Sequence, residues 1–189
     1  DKPDLSQGLI LIGNDMCPFA QRAWFALEES GLNYSHCACQ LYPKPQWLLD
    51  INPKGKVPVL VDNGAVIVES EVIIDAIAER AQWPTLDEER SNSCRQILNE
   101  AVLPAGQSGR RGELNVALRR LDKLVVGPYM TGEALSVADF SVAPMLQRLF
   151  EASMVPDDCS RLSDWWEAVS QRPAFQKTKL PKGSYWWWW

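Results

Sequence analysis

With 46% hydrophobic and 23% charged residues in a chain of 189, the composition is that of ordinary globular protein, long enough for one large domain or two small ones. Nineteen basic against 24 acidic residues leave a net charge of −5; Lys and Arg are scattered rather than striped, which argues against nucleic acid as the main partner. No apolar run approaches the ~20 residues of a membrane-spanning helix, and five irregularly spaced cysteines with one histidine argue against a secreted disulfide framework and against a zinc site. A reducing compartment is expected. The chain begins at Asp1 rather than Met, so a targeting segment ahead of it stays open.

Leu9, Ile10, Leu11 and Ile12 read as a short buried strand, ended by the turn residues Gly13, Asn14 and Asp15. A helix follows. Pro18 suits its first position, where a missing N–H removes no intrahelical bond, and Ala20, Ala23, Trp24, Leu27 and Gly31 recur at helical spacing. Cys17, immediately before that proline, stands at the positive end of the helix dipole, a place that favours thiolate over thiol and makes it a candidate nucleophile. The plainer reading of Cys17 is a small apolar side chain filling a strand-to-helix corner. Position 20 is Ala, so Cys17 is not half of a Cys-x-x-Cys redox pair.

Gly31 is placed as a helix cap, and residues 33–39 are predicted to form a second strand parallel to the first, with Cys37 and Cys39 on one face. Pro43 and Pro45 break the chain before a short helix over 46–51. Val57, Pro58, Val59, Leu60 and Val61 predict a strand, Asp62-Asn63-Gly64 a tight turn, and residues 65–68 the returning strand. A proline in such a run belongs at a sheet edge or at a cis bond, and both stay open for Pro58. Ser70 is expected to be the N-cap of the next helix, whose periodic face carries Val72, Ile73, Ala76 and Ile77, with Glu69 held at its start. Beyond capping, the Ser70 hydroxyl, the Glu69 carboxylate and the free helical N–H groups could together receive the ammonium and carboxylate of an amino acid.

Trp83, Pro84 and a cluster of charges mark a linker over 82–90, so residues 1–81 and 91–189 are expected to be separate domains. The second is read as entirely helical. Ile97, Leu98, Ala101 and Val102 suggest one helix, broken at Pro104 and through 106–112. Leu114, Ala117, Leu118, Leu121, Leu124 and Val125 form an apolar stripe that stops at Gly127 and Pro128. Ser136 and Asp139 resemble a capping box, with Leu135 and Phe140 spaced as a hydrophobic staple and Val142, Met145, Leu146, Leu149 and Phe150 as the buried face beyond. A last helix is predicted around Leu162, Trp165, Trp166 and Val169, closed by Arg172-Pro173. The chain ends in Tyr185 followed by Trp186, Trp187, Trp188 and Trp189, either an uncertain stretch of sequence or an aromatic anchor for a protein partner or a membrane surface.

The motifs Cys17-Pro18-Phe19-Ala20-Gln21-Arg22, Asn52-Pro53-Lys54-Gly55-Lys56-Val57-Pro58-Val59-Leu60 and Glu69-Ser70 resemble the thioredoxin-fold half of glutathione transferases, and are most similar to the cysteine-type classes: omega, lambda and the dehydroascorbate reductases. Ser136, Val137, Ala138 and Asp139 extend the resemblance into the helical half. It implies an α/β thioredoxin-like N-terminal domain, β-α-β-α-β-β-α, followed by an all-α C-terminal domain, here with a shortened region ahead of Leu114 that puts the second-substrate pocket and a dimer interface in doubt. It also implies glutathione as co-substrate, Cys17 as the catalytic thiol, and Pro58 as a cis-proline presenting the Val57 backbone to the cysteinyl part of glutathione. Glu69 and Ser70 would hold the γ-glutamyl end, Lys44 would contact the glutathione backbone, and Phe19 would border the pocket.

The function expected from these residues is glutathione-dependent thiol transfer or reduction, of a glutathionylated thiol or a small oxidised substrate such as dehydroascorbate, through a mixed disulfide on Cys17. No metal is expected in it, and the setting is a soluble protein of the cytoplasm or plastid stroma. The alternative is a glutathione-transferase fold retained as a scaffolding subunit of a larger assembly, with protein partners met through the aromatic tail.

Overall fold

Strand β1 (Leu9–Gly13) is buried at all five positions, because it lies inside the sheet with both faces covered. It pairs in parallel with β2 (Ser35–Ala38) and antiparallel with β3 (Val59–Asp62), which pairs antiparallel with β4 (Ala65–Val68), giving the order β2-β1-β3-β4. The computed structural model describes residues 3–84 and 86–181, which divide into two compact units, one ending at Trp83 and the other starting at Pro84. Tyr185 and the terminal tryptophans lie outside the described residues.

In the first unit the helices are α1 (Pro18–Ser30), α2 (Gln46–Ile51) and α3 (Ser70–Arg80), so the order is β-α-β-α-β-β-α. Ile10, Ile12, Val59 and Val61 pack with Leu48 of α2 in one cluster, against which Trp47 and Ile51 also rest. Elsewhere α1 lies against both α3 and β1. The turn between β3 and β4 has Asn63 and Gly64 at φ 47° and 86°, the two consecutive positive values of a type I′ hairpin. Four expectations change. On α3, Ile74 rather than Val72 reaches the core, Val72 being exposed. Strand β2 is shorter than 33–39. Phe25 rather than Trp24 reaches the core, Trp24 being half-buried. Ser70 is the first residue of α3, and Glu69, at φ 69° and ψ 119°, takes the N-cap position without a side-chain capping bond.

The second unit is helical throughout. Helix α4 (Glu88–Ile97) runs through a π-helical turn (Leu98–Val102) into α5 (Leu103–Gln107). Pro104 therefore does not break the helix: it sits in the first turn of α5, where a missing N–H costs least. Helix α6 (Arg111–Asp122) buries the expected Leu114, Ala117, Leu118 and Leu121. After α7 (Val137–Glu151) and α8 (Ser160–Ser170), Pro173 opens a further short helix, α9 (Pro173–Thr178), instead of ending the helical region. No helix among the described residues is long and apolar enough to cross a membrane.

The helical core is organised by Asp139, which is fully buried. Its Oδ2 accepts from the Ser136 N–H and hydroxyl, both at 2.8 Å, while Oδ1 accepts from the Met130 N–H at 2.9 Å and from Trp165 Nε1 at 2.8 Å. Burial pushes the carboxyl upward, and these four donors oppose it. Replacing Ser136 by Ala should cost about 0.5–2 kcal/mol. Replacing Asp139 by Ala should cost more, about 3 kcal/mol or above, because several buried donors lose their acceptor at once. Urea unfolding followed by Trp fluorescence measures both, and a Ser136→Ala loss equal to or larger than that of Asp139→Ala would contradict this ranking.

Candidate functional site

The turn from β1 to α1 is tied down by short-range bonds. The Cys17 N–H donates to the Asn14 carbonyl at 2.8 Å and the Met16 N–H to Asn14 Oδ1 at 3.0 Å. Asn14 Nδ2 in turn donates to the Cys39 carbonyl at 3.0 Å, and the Cys39 N–H to the Gly13 carbonyl at 2.6 Å. The turn is thereby fastened to the end of β2. Cys17 then takes the N-cap position of α1 at φ −94° and ψ 117°, with Pro18 at the first helical position.

Cys17 is 9% exposed and forms no disulfide. Its Sγ lies 4.0 Å from the Val57 carbonyl oxygen. The two residues share one apolar cluster with Ile10, Ala20, Cys39 and Val59, and Phe19 packs against that cluster. The Val57–Pro58 peptide bond is cis, and β3 begins only at Val59, so Val57 stands ahead of the ladder. Among the described residues no hydrogen bond engages the Val57 N–H. An unpaired main-chain N–H beside the thiol is the docking edge that a peptide laid down as an extra strand requires.

The other predicted residues lie on the same unit. Ser70 Oγ accepts from Arg22 Nη1 at 3.2 Å. Glu69 pairs with Lys54, Nζ to Oε1 at 2.8 Å, and the Lys54 hydrogen bond and charge hold the Glu69 carboxyl below the usual carboxylate range, with Lys56 adding to the effect. Lys44 is exposed and extends over Gly55: a Cβ built there would lie 3.0 Å from Lys44 Cδ and 2.8 Å from Leu49 Cδ2. Gly55 also has φ 58°, so both space and backbone demand glycine at this point. Cys17, Val57 and Phe19 are thus in one cluster, whereas Glu69 and Lys44 are shown against the 52–57 loop, at Lys54 and at Gly55.

Residues 11–85 match the family described as glutathione S-transferase, N-terminal domain, and residues 107–173 match glutathione S-transferase, C-terminal domain. The chain is 31% identical over 181 residues to glutathione S-transferase DHAR2 of Arabidopsis thaliana, covering 88% of this chain and 85% of that one. The chain belongs to the glutathione S-transferase family. It is also 28% identical over 191 residues to glutathione S-transferase omega-1 of Sus scrofa, covering 89% of this chain and 79% of that one. Among solved structures, glutathione transferase Omega 3C of Trametes versicolor superposes with a TM-score of 0.82 at 26% identity, over 93% of this chain and 90% of that one.

Three residues of this family member were not singled out by sequence as parts of the site. Asn14 was read only as turn chemistry. Lys54 was read only within a motif, since nothing local shows that it crosses to Glu69. Arg22, 1% exposed, pairs with Glu71 at 3.1 Å, bonds Ser70 and lies with its guanidinium carbon 5.1 Å from the Phe19 ring centroid. A signal for Arg22 existed, because it falls among buried positions of α1, next to Ala23 and three residues beyond Phe19.

His36 of β2 packs against Trp24 at a tilt of 36°, centroids 4.4 Å apart, with Nε2 3.8 Å from Oδ1 of Asp15 in the β1–α1 turn. Burial lowers its pKa from the ordinary 6.5, and the Asp15 and Glu28 charges only partly oppose this. The unfolded chain therefore takes up a proton more readily, so this contribution to stability is complete above pH 6.5 and is lost as pH falls through the lowered value. Urea stability compared at pH 8 and pH 5.5 should drop less in His36→Phe than in wild type; an equal drop would remove His36 from the effect. Arg22→Leu should destabilise the first unit by about 3 kcal/mol by stranding the Glu71 and Ser70 partners, read as a lowered urea midpoint.

Proposed function

We propose that this family member is a glutathione-dependent thiol transferase or reductase of the cysteine type, with Cys17 as its nucleophile. The observation that carries the reading is the position of the thiol. Cys17 takes the N-cap position of α1, its Sγ 4.0 Å from the carbonyl oxygen of Val57, a residue whose N–H has no partner among the described residues. The likeness to glutathione S-transferase DHAR2 and to omega-class proteins supports it.

The residues present fit glutathione as co-substrate. Its cysteinyl unit would pair with the Val57 main chain ahead of cis-Pro58, setting its sulfur towards Cys17. Glu69 and Ser70 would take the γ-glutamyl end, Lys44 would supply a cation to the peptide backbone, and Phe19 would wall the thiol. In the first step the Cys17 thiolate attacks the glutathionyl sulfur of a mixed disulfide. A Cys17–S–S–glutathione bond forms, the original S–S bond breaks, and the substrate leaves as a thiolate that takes a proton from water. In the second step a glutathione thiolate attacks that bond, leaving oxidised glutathione and regenerating the Cys17 thiolate. With dehydroascorbate as the oxidised substrate, the two electrons delivered come from two glutathiones, which end as the same disulfide. Reduced glutathione is needed throughout, so a reducing compartment is the setting.

Glutathione-dependent reduction of dehydroascorbate and of hydroxyethyl disulfide should fall by roughly 10²-fold or more in Cys17→Ser, with the urea midpoint little changed. Equal rates in variant and wild type would remove Cys17 from the chemistry.

A further inference from the structure

The pair Lys54–Glu69 sits on the first unit at two fixed points of the chain. Lys54 belongs to a turn locked by Asn52: the Lys54 N–H donates to Asn52 Oδ1 at 3.3 Å, the Gly55 N–H to the Asn52 carbonyl at 2.7 Å, and Asn52 Nδ2 to the Lys56 carbonyl at 2.9 Å. Glu69 is set by the start of α3, where the Ile73 N–H donates to its carbonyl at 3.0 Å. Two rooted loops therefore present a cation and an anion side by side, Nζ to Oε1 at 2.8 Å. Both side chains remain largely in water, 66% and 56% exposed. An ion pair so exposed contributes little by itself and opens cheaply to a ligand carrying the same two charges.

We propose that Lys54 is a specificity-determining residue of the glutathione site: with Glu69 it receives the zwitterionic end of a γ-glutamyl peptide, Lys54 taking the α-carboxylate and Glu69 the α-ammonium. The proposal rests on the glutathione reading given above and adds to it the residue that recognises the α-carboxylate. The geometry is complementary. In an α-amino acid terminus the ammonium and carboxylate are borne by one carbon, and the protein offers the opposite charges in contact. A lone Glu69 would accept any amine, and a lone lysine any carboxylate; the pair requires both on one ligand. The Lys54 hydrogen bond and charge, with a smaller contribution from Lys56, hold the Glu69 carboxyl below the usual carboxylate range, so the anion is available when the ammonium arrives. Ser70 Oγ accepts from Arg22 Nη1, which leaves its own hydrogen to donate to the ligand's α-carboxylate.

The test measures binding of glutathione, and of its analogue with the γ-glutamyl α-carboxylate converted to carboxamide, to wild type, Lys54→Met and Lys54→Arg by titration calorimetry. Lys54→Met should weaken glutathione about tenfold or more while leaving the carboxamide analogue nearly unchanged, and Lys54→Arg should recover most of the loss. Equal weakening of both ligands would overturn the proposal and leave Lys54 as a positioning residue for Glu69; no weakening of either would overturn it outright. Wild type that binds neither ligand would overturn the glutathione reading and this proposal together, an outcome distinct from intact binding that ignores Lys54. Because Lys54 is exposed, an unchanged unfolding midpoint in Lys54→Met separates a binding loss from a folding loss.

Discussion

The chemistry proposed for this chain depends on the turn between β1 and α1, and that turn depends on Asn14. Its main chain accepts from Cys17, its side-chain oxygen from Met16, and its side-chain amide donates to Cys39 across the β1–β2 edge. A cysteine at a helix N-terminus is useful only if it cannot drift away from the dipole and from the edge where a peptide docks. Asn14 achieves this with one side chain that is donor and acceptor at once, a combination that an ionised Asp, which only accepts, cannot reproduce.

A second constraint is the buried guanidinium of Arg22. Its pairing with Glu71 and Ser70 joins α1, which follows the thiol, to the first turn of α3, which begins at Ser70. The Phe19 ring lies against the same guanidinium. A cation with so little exposure is held in place by its partners rather than by water, which makes it a poor source of net stability and a good source of fixed geometry. The helical unit uses the same device with opposite sign: Asp139, buried and surrounded by four donors, binds the start of α7 to the Met130 segment and to α8 through Trp165.

Much of this was legible in the residues. The β1 run, the type I′ turn at Asn63-Gly64, the α6 stripe and the Ser136–Asp139 cap are local signals, and each element formed near its predicted place. The errors fell where tertiary contacts overrule local preference. Pro104 predicts a break in the helix, but a π-helical turn ahead of it absorbs the irregularity. Ser70 has the right chemistry for an N-cap, yet its hydroxyl is engaged by Arg22, and the chain reaches α3 through Glu69 at positive φ instead. Trp24 follows helical periodicity but packs at a tilt against His36 at the sheet edge, leaving Phe25 to fill the core.

The sequence by itself determined the order of elements in the first unit and the position of Cys17 at a helix start, because hydrophobic period, turn residues and a proline at the first helical position act over a few residues. Only the tertiary structure decided which charges meet. Arg22 finds Ser70 across 48 positions and Lys54 finds Glu69 across 15. Those encounters follow from how α1, the 52–57 loop and α3 pack within one unit, and a side chain's partner at that range leaves no periodic trace in the chain.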